Sequence, residues 1–160
     1  MYNTLLKGAD PAIVIECLNG YRLKEKLPGN LSTFTVPLGV PEVIKEGNDI
    51  TIVSYGSTLR IIQDAVQTLE HKGVSCEIID VQTLLPFDIH HKILESLKKT
   101  NRIVFVDEDV PGGAAAYMFN LVMEQQGGYR YLDVSPRTIT AKAHRPGYAS
   151  VRSAVGAAYW

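Results

Sequence analysis

Two strand-to-helix junctions hold the residues best placed to do chemistry. The first, Tyr55-Gly56-Ser57-Thr58, puts one glycine and two hydroxyls at a helix start. A phosphate can bind such a start, because free main-chain N–H groups and the helix dipole both favour an anion. Dinucleotide sites use three glycines, however, and a P-loop needs a lysine that does not follow here. A tight turn with Ser57 or Thr58 as the capping hydroxyl is the simpler reading. The second junction is Asp107-Glu108-Asp109, followed by Pro111-Gly112-Gly113. Three acids there could ligate a metal, transfer a proton or face a positive partner. No second set of ligands accompanies them, so they read as structural or interface residues. Glu108 or Asp109 would satisfy nearby main-chain amides, and the glycines would permit close helix packing.

The histidines give less. His71 falls near a helix end, and His90-His91 fall in the first turns of another helix, where solvated side chains are expected. His144 stands in His144-Arg145-Pro146, directly after a strand, without a partnered nucleophile or acid in sequence. Cys17 and Cys76 lie in apolar runs and not in a C-x-x-C pair, so both are expected to be buried free thiols. Nucleophile elbows, zinc spacings, paired catalytic carboxylates and aromatic-basic interleaving are all missing. A net charge of −1 gives no bulk attraction to nucleic acid or anionic membrane. Apolar residues make up 46% of the chain, yet no run approaches a membrane span or a secretory signal. The expectation is a cytoplasmic globular protein without a self-contained active site.

The elements that must carry these junctions are regular only after residue 48. Asp49 to Tyr55 is β-rich and closes on Gly56. Leu59, Ile62, Val66 and Leu69 then recur at helical spacing, and Gly73 ends that helix. Val74 to Val81 is a second strand. After a turn around Pro86, Asp88 is expected to cap a helix with the stripe Ile89, Ile93, Leu94 and Leu97, its last turn carrying Lys98 and Lys99. Arg102 to Val106 is a third strand of the doubly buried kind. Ala114 to Gln125 is a helix with Met118, Leu121 and Val122 inward, and Thr138 to Ala141 a last short strand. This β-α-β-α-β-α-β order predicts a three-layer α/β fold, a mostly parallel sheet with helices on both faces. Upstream, Ala12 to Glu16 reads as an isolated strand. Leu18 to Gly47, with Pro28, Pro37 and Pro41, shows no sustained period and reads as a connector.

Several of these segments, in fixed order, resemble the beta-type chain of 2-oxo acid dehydrogenase decarboxylases of the pyruvate and branched-chain type. They are Phe34-Thr-Val-Pro-Leu-Gly39, Val43-Ile-Lys-Glu-Gly47, Asp49-Ile-Thr-Ile-Val-Ser-Tyr-Gly56, Val74-Ser-Cys-Glu-Ile-Ile-Asp80, Thr83-Leu-Leu-Pro86 and the acid-then-glycine pattern from Glu108 to Gly113. These enzymes are related to transketolase and use thiamine diphosphate with magnesium. The resemblance implies that residues 1–20 are the remnant of a pyrimidine-binding domain, 21–47 a linker and 48–160 a transketolase carboxy-terminal-like domain. It also implies a carboxy-terminal fragment, since the Gly-Asp-Gly pattern that holds the metal is absent, and no catalytic, cofactor or metal residue transfers to this chain.

What the resemblance does imply is assembly. Partners would be the remaining domains or alpha-type chain, the acyltransferase core and other copies of the chain, with neither nucleic acid nor membrane involved. The interface residues are Asp107, Glu108, Gly112, Gly113, His144 and Arg145. His144 stands where the family has an acid facing a basic anchor on the acyltransferase, so the usual charge pairing is altered. The family's potassium loop is matched only weakly at Lys7 to Asp10 and is not carried over. Val151, Val155, Ala158 and Tyr159 either form a short helix or belong to an altered tail. Leu27, Leu31, Phe34, Val36 and Leu38 would contact other domains, and their exposure would favour self-association. Transketolase, deoxyxylulose-phosphate synthase and a stand-alone binding module of this fold are the alternatives.

Overall fold

The computed structural model describes residues 1–24 and 26–142. The chain starts with a short helix, α1 (Tyr2–Lys7), and a 3-10 turn at Leu18–Arg22. Five strands follow: β1 (Glu42–Lys45), β2 (Ile50–Ser54), β3 (Cys76–Asp80), β4 (Ile103–Val106) and β5 (Arg137–Ile139). Helices α2 (Thr58–Glu70), α3 (Lys92–Thr100) and α4 (Ala114–Phe119) connect them, with α4 running on into a π turn at Asn120–Gln125. The sheet order is β1-β3-β2-β4-β5. All pairs are parallel except β1–β3, which is antiparallel.

Three layers result, as the sequence predicts. On one face α2 lays Ile62 and Val66 over Ile52, Cys76, Ile78, Val104 and Val106. On the other, α3, α4 and the π turn bury Ile93, Leu97, Met118 and Val122 against Val53, Ile79 and Phe105. The central strands therefore lose solvent on both sides, which explains their near-continuous apolar runs. The π turn departs from the regular helix expected there. Its wider winding lets the adjacent residues Val122 and Met123 both reach the core, where neither retains any exposure. At α3 the helix starts three residues later than its stripe suggested. Asp88 still caps it, accepting from Lys92 N at 2.7 Å and Ile93 N at 3.1 Å, but Ile89 is left half-exposed.

Two upstream expectations are corrected. Ala12 to Glu16 forms no strand: it is extended, with Ile13 and Ile15 about nine-tenths exposed and no neighbouring strand to complete its main-chain hydrogen bonds. Conversely, Glu42–Lys45, expected to be irregular, is the antiparallel edge strand β1. It is four residues long and bulged between Val43 and Lys45, so no alternation survives to be read. Gly47 follows it because the chain passes over β3 there: a Cβ at Gly47 would lie 2.1 Å from the Cys76 carbonyl carbon.

A buried polar network ties this crossing to α3. Glu77, 1% exposed near the start of β3, accepts from Ser96 Oγ and Lys99 Nζ, and from Gly47 N at 3.3 Å. Thr51 Oγ1 lies 2.7 Å from both Ser96 Oγ and Thr100 Oγ1. Lys99 also reaches Glu46 at 2.9 Å, and the two carboxylates, Glu77 first, push its ammonium above its ordinary value.

The two ends of the pair respond differently to mutation. Lys99 can turn to Glu46 and water if Glu77 is lost, whereas Glu77 has no such escape. Lys99→Met should therefore cost about 3 kcal/mol, the price of a stranded buried charge, and Glu77→Gln only about 1 kcal/mol. The double variant Glu77→Leu with Lys99→Met should return to within about 1 kcal/mol of the parent. Urea midpoints at constant slope test all three, and equal costs for the two single variants would contradict the asymmetry.

At the other end of β3, Asp80 faces Glu42 on β1. Burial, opposed by a hydrogen bond from Gln82 N and reinforced by Glu42, raises its carboxyl above the ordinary 3.8. The ionised form is thus the costly one in the fold. That cost is fully present above the raised folded value and disappears below the unfolded value. Asp80→Asn should stabilise the protein at pH 7, with the gain fading as pH falls towards about 3. A pH series of thermal midpoints for both proteins measures this directly.

Candidate functional site

From β2 the chain goes to β3 on one side of the sheet and returns to β4 on the other. The carboxyl ends of β2 and β4 therefore flank the topological switch point, where open parallel sheets hold their ligands. Both junctions picked out from the sequence lie here. Tyr55-Gly56-Ser57 leaves β2, and Asp107-Glu108-Asp109 leaves β4.

Asp107 is the centre of the arrangement. It is fully buried, and its Oδ1 accepts from the Tyr55 hydroxyl at 2.7 Å and from Asp109 N at 3.2 Å. Its Oδ2 accepts from Ala115 N at 2.8 Å, in the first turn of α4. One carboxylate thus closes the turn after β4, starts the next helix and bridges to β2. The Tyr55 phenol is pushed well above its ordinary value, first by burial and then by the hydrogen bond to Asp107 and the charges of Asp107, Glu108 and Asp109. It stays protonated, and its proton is already committed to Asp107.

The other expectations resolve one by one. Ser57 does not cap α2 with its side chain; its Oγ donates instead to Glu108 Oε2 at 2.9 Å. The start of α2 therefore has one of the chain's own carboxylates beside it, where a bound phosphate would otherwise be favoured. Asp109 accepts from Val110 N at 2.7 Å, and its main-chain oxygen accepts from Ala141 N at 2.9 Å, tying the turn to the segment after β5. Gly113 is needed for close approach, but to an acid: a Cβ there would lie 2.6 Å from Asp109 Oδ2. Gly112 has open space around it and a φ of +99°, so its conformation is what favours glycine.

The structure thus brings Asp107, Glu108, Gly112 and Gly113 into one turn. His144 and Arg145 lie outside the described residues. His71, His90 and His91 are all exposed and take no part in the turn. Sequence reasoning named Asp107 as an interface residue and Tyr55 within the first junction, and it favoured Glu108 or Asp109 as the amide-binding acid; Asp109 does accept from Val110 N, but the pairing of Asp107 with Tyr55 and with the Asp109 and Ala115 amides was not read. The available signal was position: Asp107 directly follows a buried strand, the last point from which a side chain still reaches the sheet interior. Cys17 is half-buried beside the same place. A methyl group at Gly56, whose φ is +61°, would lie 3.2 Å from the Cys17 sulfur. The segment from the amino terminus therefore passes over the switch point. Among the described residues no group of three His, Cys, Asp or Glu side chains is disposed to share a metal, and no helix is long and apolar enough to cross a membrane.

Tyr55→Phe should cost about 1 kcal/mol, one buried hydrogen bond, whereas Asp107→Ala should cost about 3 kcal/mol because two main-chain amides lose their acceptor as well. Guanidinium unfolding of the two variants tests the order, and equal losses would deny Asp107 its central place.

Comparison with known proteins completes the site. The family described as "Transketolase, C-terminal domain" matches residues 39–157. The pyruvate dehydrogenase E1 component subunit beta of Acholeplasma laidlawii is 35% identical, covering 84% of this chain and 40% of that protein. The mitochondrial 2-oxoisovalerate dehydrogenase subunit beta of Dictyostelium discoideum is 37% identical, covering 75% and 32%. The acetoin:2,6-dichlorophenolindophenol oxidoreductase subunit beta of Bacillus subtilis is 31% identical, covering 88% and 40%. The likeness to beta-type chains read from the motifs is borne out, and the chain spans no more than about 40% of these relatives. A split-gene transketolase, solved as an inactive beta4 tetramer, shares the fold with a TM-score of 0.61 at 22% identity, covering 80% of this chain and 40% of that one.

Proposed function

This chain belongs to the transketolase carboxy-terminal domain family, and from that premise we propose that it is the carboxy-terminal support domain of the decarboxylating component of a 2-oxo acid dehydrogenase. The parent reaction is thiamine-dependent decarboxylation of a 2-oxo acid, with transfer of the acyl group to lipoamide. The single observation that carries the reading is the likeness, over 124 to 137 residues, to beta subunits of pyruvate and 2-oxoisovalerate dehydrogenases. A second reading, support of an acetoin oxidoreductase, has the Bacillus subtilis relative behind it.

In this proposal the domain does no bond chemistry. Thiamine diphosphate and magnesium belong to other domains, and the residues here do not fit them. At the switch point, the place where a diphosphate would be sought, Tyr55 is bonded to the carboxylate of Asp107 and Ser57 to that of Glu108, and these negative charges would oppose a diphosphate. What the residues do is hold a rigid turn. Asp107 fixes it, Asp109 joins it to the segment after β5, and Glu108 faces outward.

The partners proposed are the remaining domains or alpha-type chain, the acyltransferase core, and further copies of the chain. The exposed apolar residues of the connector support the last of these. Leu27 is 74%, Leu31 55% and Phe34 57% exposed, while Val36 and Leu38 are half-buried. The domain boundaries proposed remain 1–20, 21–47 and 48–160, with β1 as the connector's contribution to the sheet. A cytoplasmic location accords with two free thiols, Cys17 and Cys76.

Calorimetric titration with thiamine diphosphate and magnesium tests the division of labour. No binding heat is expected, and tight magnesium-dependent binding would overturn it. Sedimentation should show self-association that Leu27→Ser with Phe34→Ser weakens at least tenfold. Combining this chain with the amino-terminal part of a beta-type chain and an alpha-type chain should give decarboxylation, and failure of this chain to join them would refute the support role.

A further inference from the structure

Residues 12–16 are extended, and none of them takes part in a main-chain to main-chain hydrogen bond among the described residues. Their side chains alternate: Ile13 and Ile15 are 92% and 89% exposed, whereas Val14 between them is 38% exposed. Two apolar β-branched residues thus stand on one face of a ready-made strand, with open main-chain donors and acceptors along it. The stretch is also held in place. The Tyr2 hydroxyl of α1 donates to the Glu16 carboxylate, and Cys17 rests against Gly56. A strand fixed in this way has little freedom left to lose on pairing.

No strand of the same molecule completes it. Gly56 follows β2, the central strand, so the anchored end lies away from both open edges, β1 and β5. Neither edge pairs with the stretch. A strand partner has to come from another molecule, and a second copy of the same stretch is matched to it. In an antiparallel pair about a two-fold axis at Val14, Ile13 lies opposite Ile15 and Ala12 opposite Glu16. Apolar then meets apolar, and the two carboxylates stay apart. A parallel in-register pair would set Glu16 beside Glu16, with like charges opposed. Pro11, which has no N–H, ends the ladder on its outer side. The surface is continuous with the connector through α1, where Asn3 donates to the carbonyls of Leu31 and Phe34, both more than half exposed.

We propose that two copies of this chain join by antiparallel pairing of residues 12–16, with the Ile13 and Ile15 side chains of both copies on one face of the new ladder. This inference deepens the self-association proposed above and rests on it.

Disulfide trapping tests the register. Ile13→Cys and Ile15→Cys, each in a Cys17→Ser background that leaves only the buried Cys76, are mixed and oxidised with diamide. The mixed pair, directly opposite in this register, should form its disulfide at least tenfold faster than either variant alone. Val14→Pro, which removes an N–H from the ladder, should weaken association at least tenfold in sedimentation while the thermal midpoint stays unchanged. If that variant lowers the midpoint, Ile13→Ser with Ile15→Ser takes its place, with the same tenfold loss expected. Equal trapping rates, faster trapping within either variant alone, or unchanged association in the strand variants would overturn the proposal. Association that Leu27→Ser with Phe34→Ser removes and Val14→Pro leaves intact would overturn strand pairing and keep the second copy as a partner. A monomer at every concentration would overturn both readings. Loss of the mixed disulfide on adding the amino-terminal part of a beta-type chain would make that chain the occupant and overturn the self-pairing.

Discussion

A carboxylate that has lost its water must be given hydrogen-bond donors, and for Asp107 these come from three separate parts of the chain. Tyr55 lies beyond β2, Asp109 in the turn after β4, and Ala115 in the first turn of α4. The observed arrangement of strand, turn and helix satisfies them together. The left-handed Gly112 and the close approach of Gly113 to Asp109 follow from this requirement, as does the position from which Met118 and Val122 enter the core. The switch point of the sheet is thereby filled by the protein's own groups. A place that other α/β proteins keep open for a ligand is here a rigid joint.

At the other end of the same strands a second buried carboxylate does comparable work. Glu77 takes donors from α3 and from Gly47, so the edge strand, the central sheet and one covering helix are held in register. Here the counter-ion, Lys99, stands 39% exposed and shares itself with Glu46, so solvent screens part of the attraction. Two buried acids, each held by donors from separate elements, thus fix the shape of the polar interior.

This also explains what the sequence disclosed. Strands β2, β3 and β4 and helices α2 and α3 were legible because doubly buried strands and amphipathic helices write themselves as local patterns. The two acids were not, because their partners are remote: Tyr55 and Asp107 are 52 positions apart, and Gly47 and Glu77 are 30. An acid in an apolar run signals that donors exist without saying where. Edge strand β1 was hidden by its bulge and brevity, and Ala12 to Glu16 misled for the opposite reason. Those residues have strand character, but a strand exists only when a neighbour completes its hydrogen bonds. Of the candidate interface, Asp107, Glu108, Gly112 and Gly113 were found together because three acids before two glycines are visible as composition, whereas the role of each required coordinates.

The path of the amino-terminal segment gives the closed switch point its meaning. Cys17 rests against Gly56, so the extended stretch before it reaches the sheet at the point where the Tyr55–Asp107 and Ser57–Glu108 bridges close the crevice. That stretch leaves Ile13 and Ile15 in solvent, while α1 is pinned to the connector through Asn3 and Thr4, which bond the main chain of Leu31, Phe34 and Val36. Much of the exposed apolar surface therefore lies in the first 36 residues, which approach the polar bridges through Cys17. Under the support role proposed for this chain, a ligand crevice converted into a joint at this spot is what the physics of support requires.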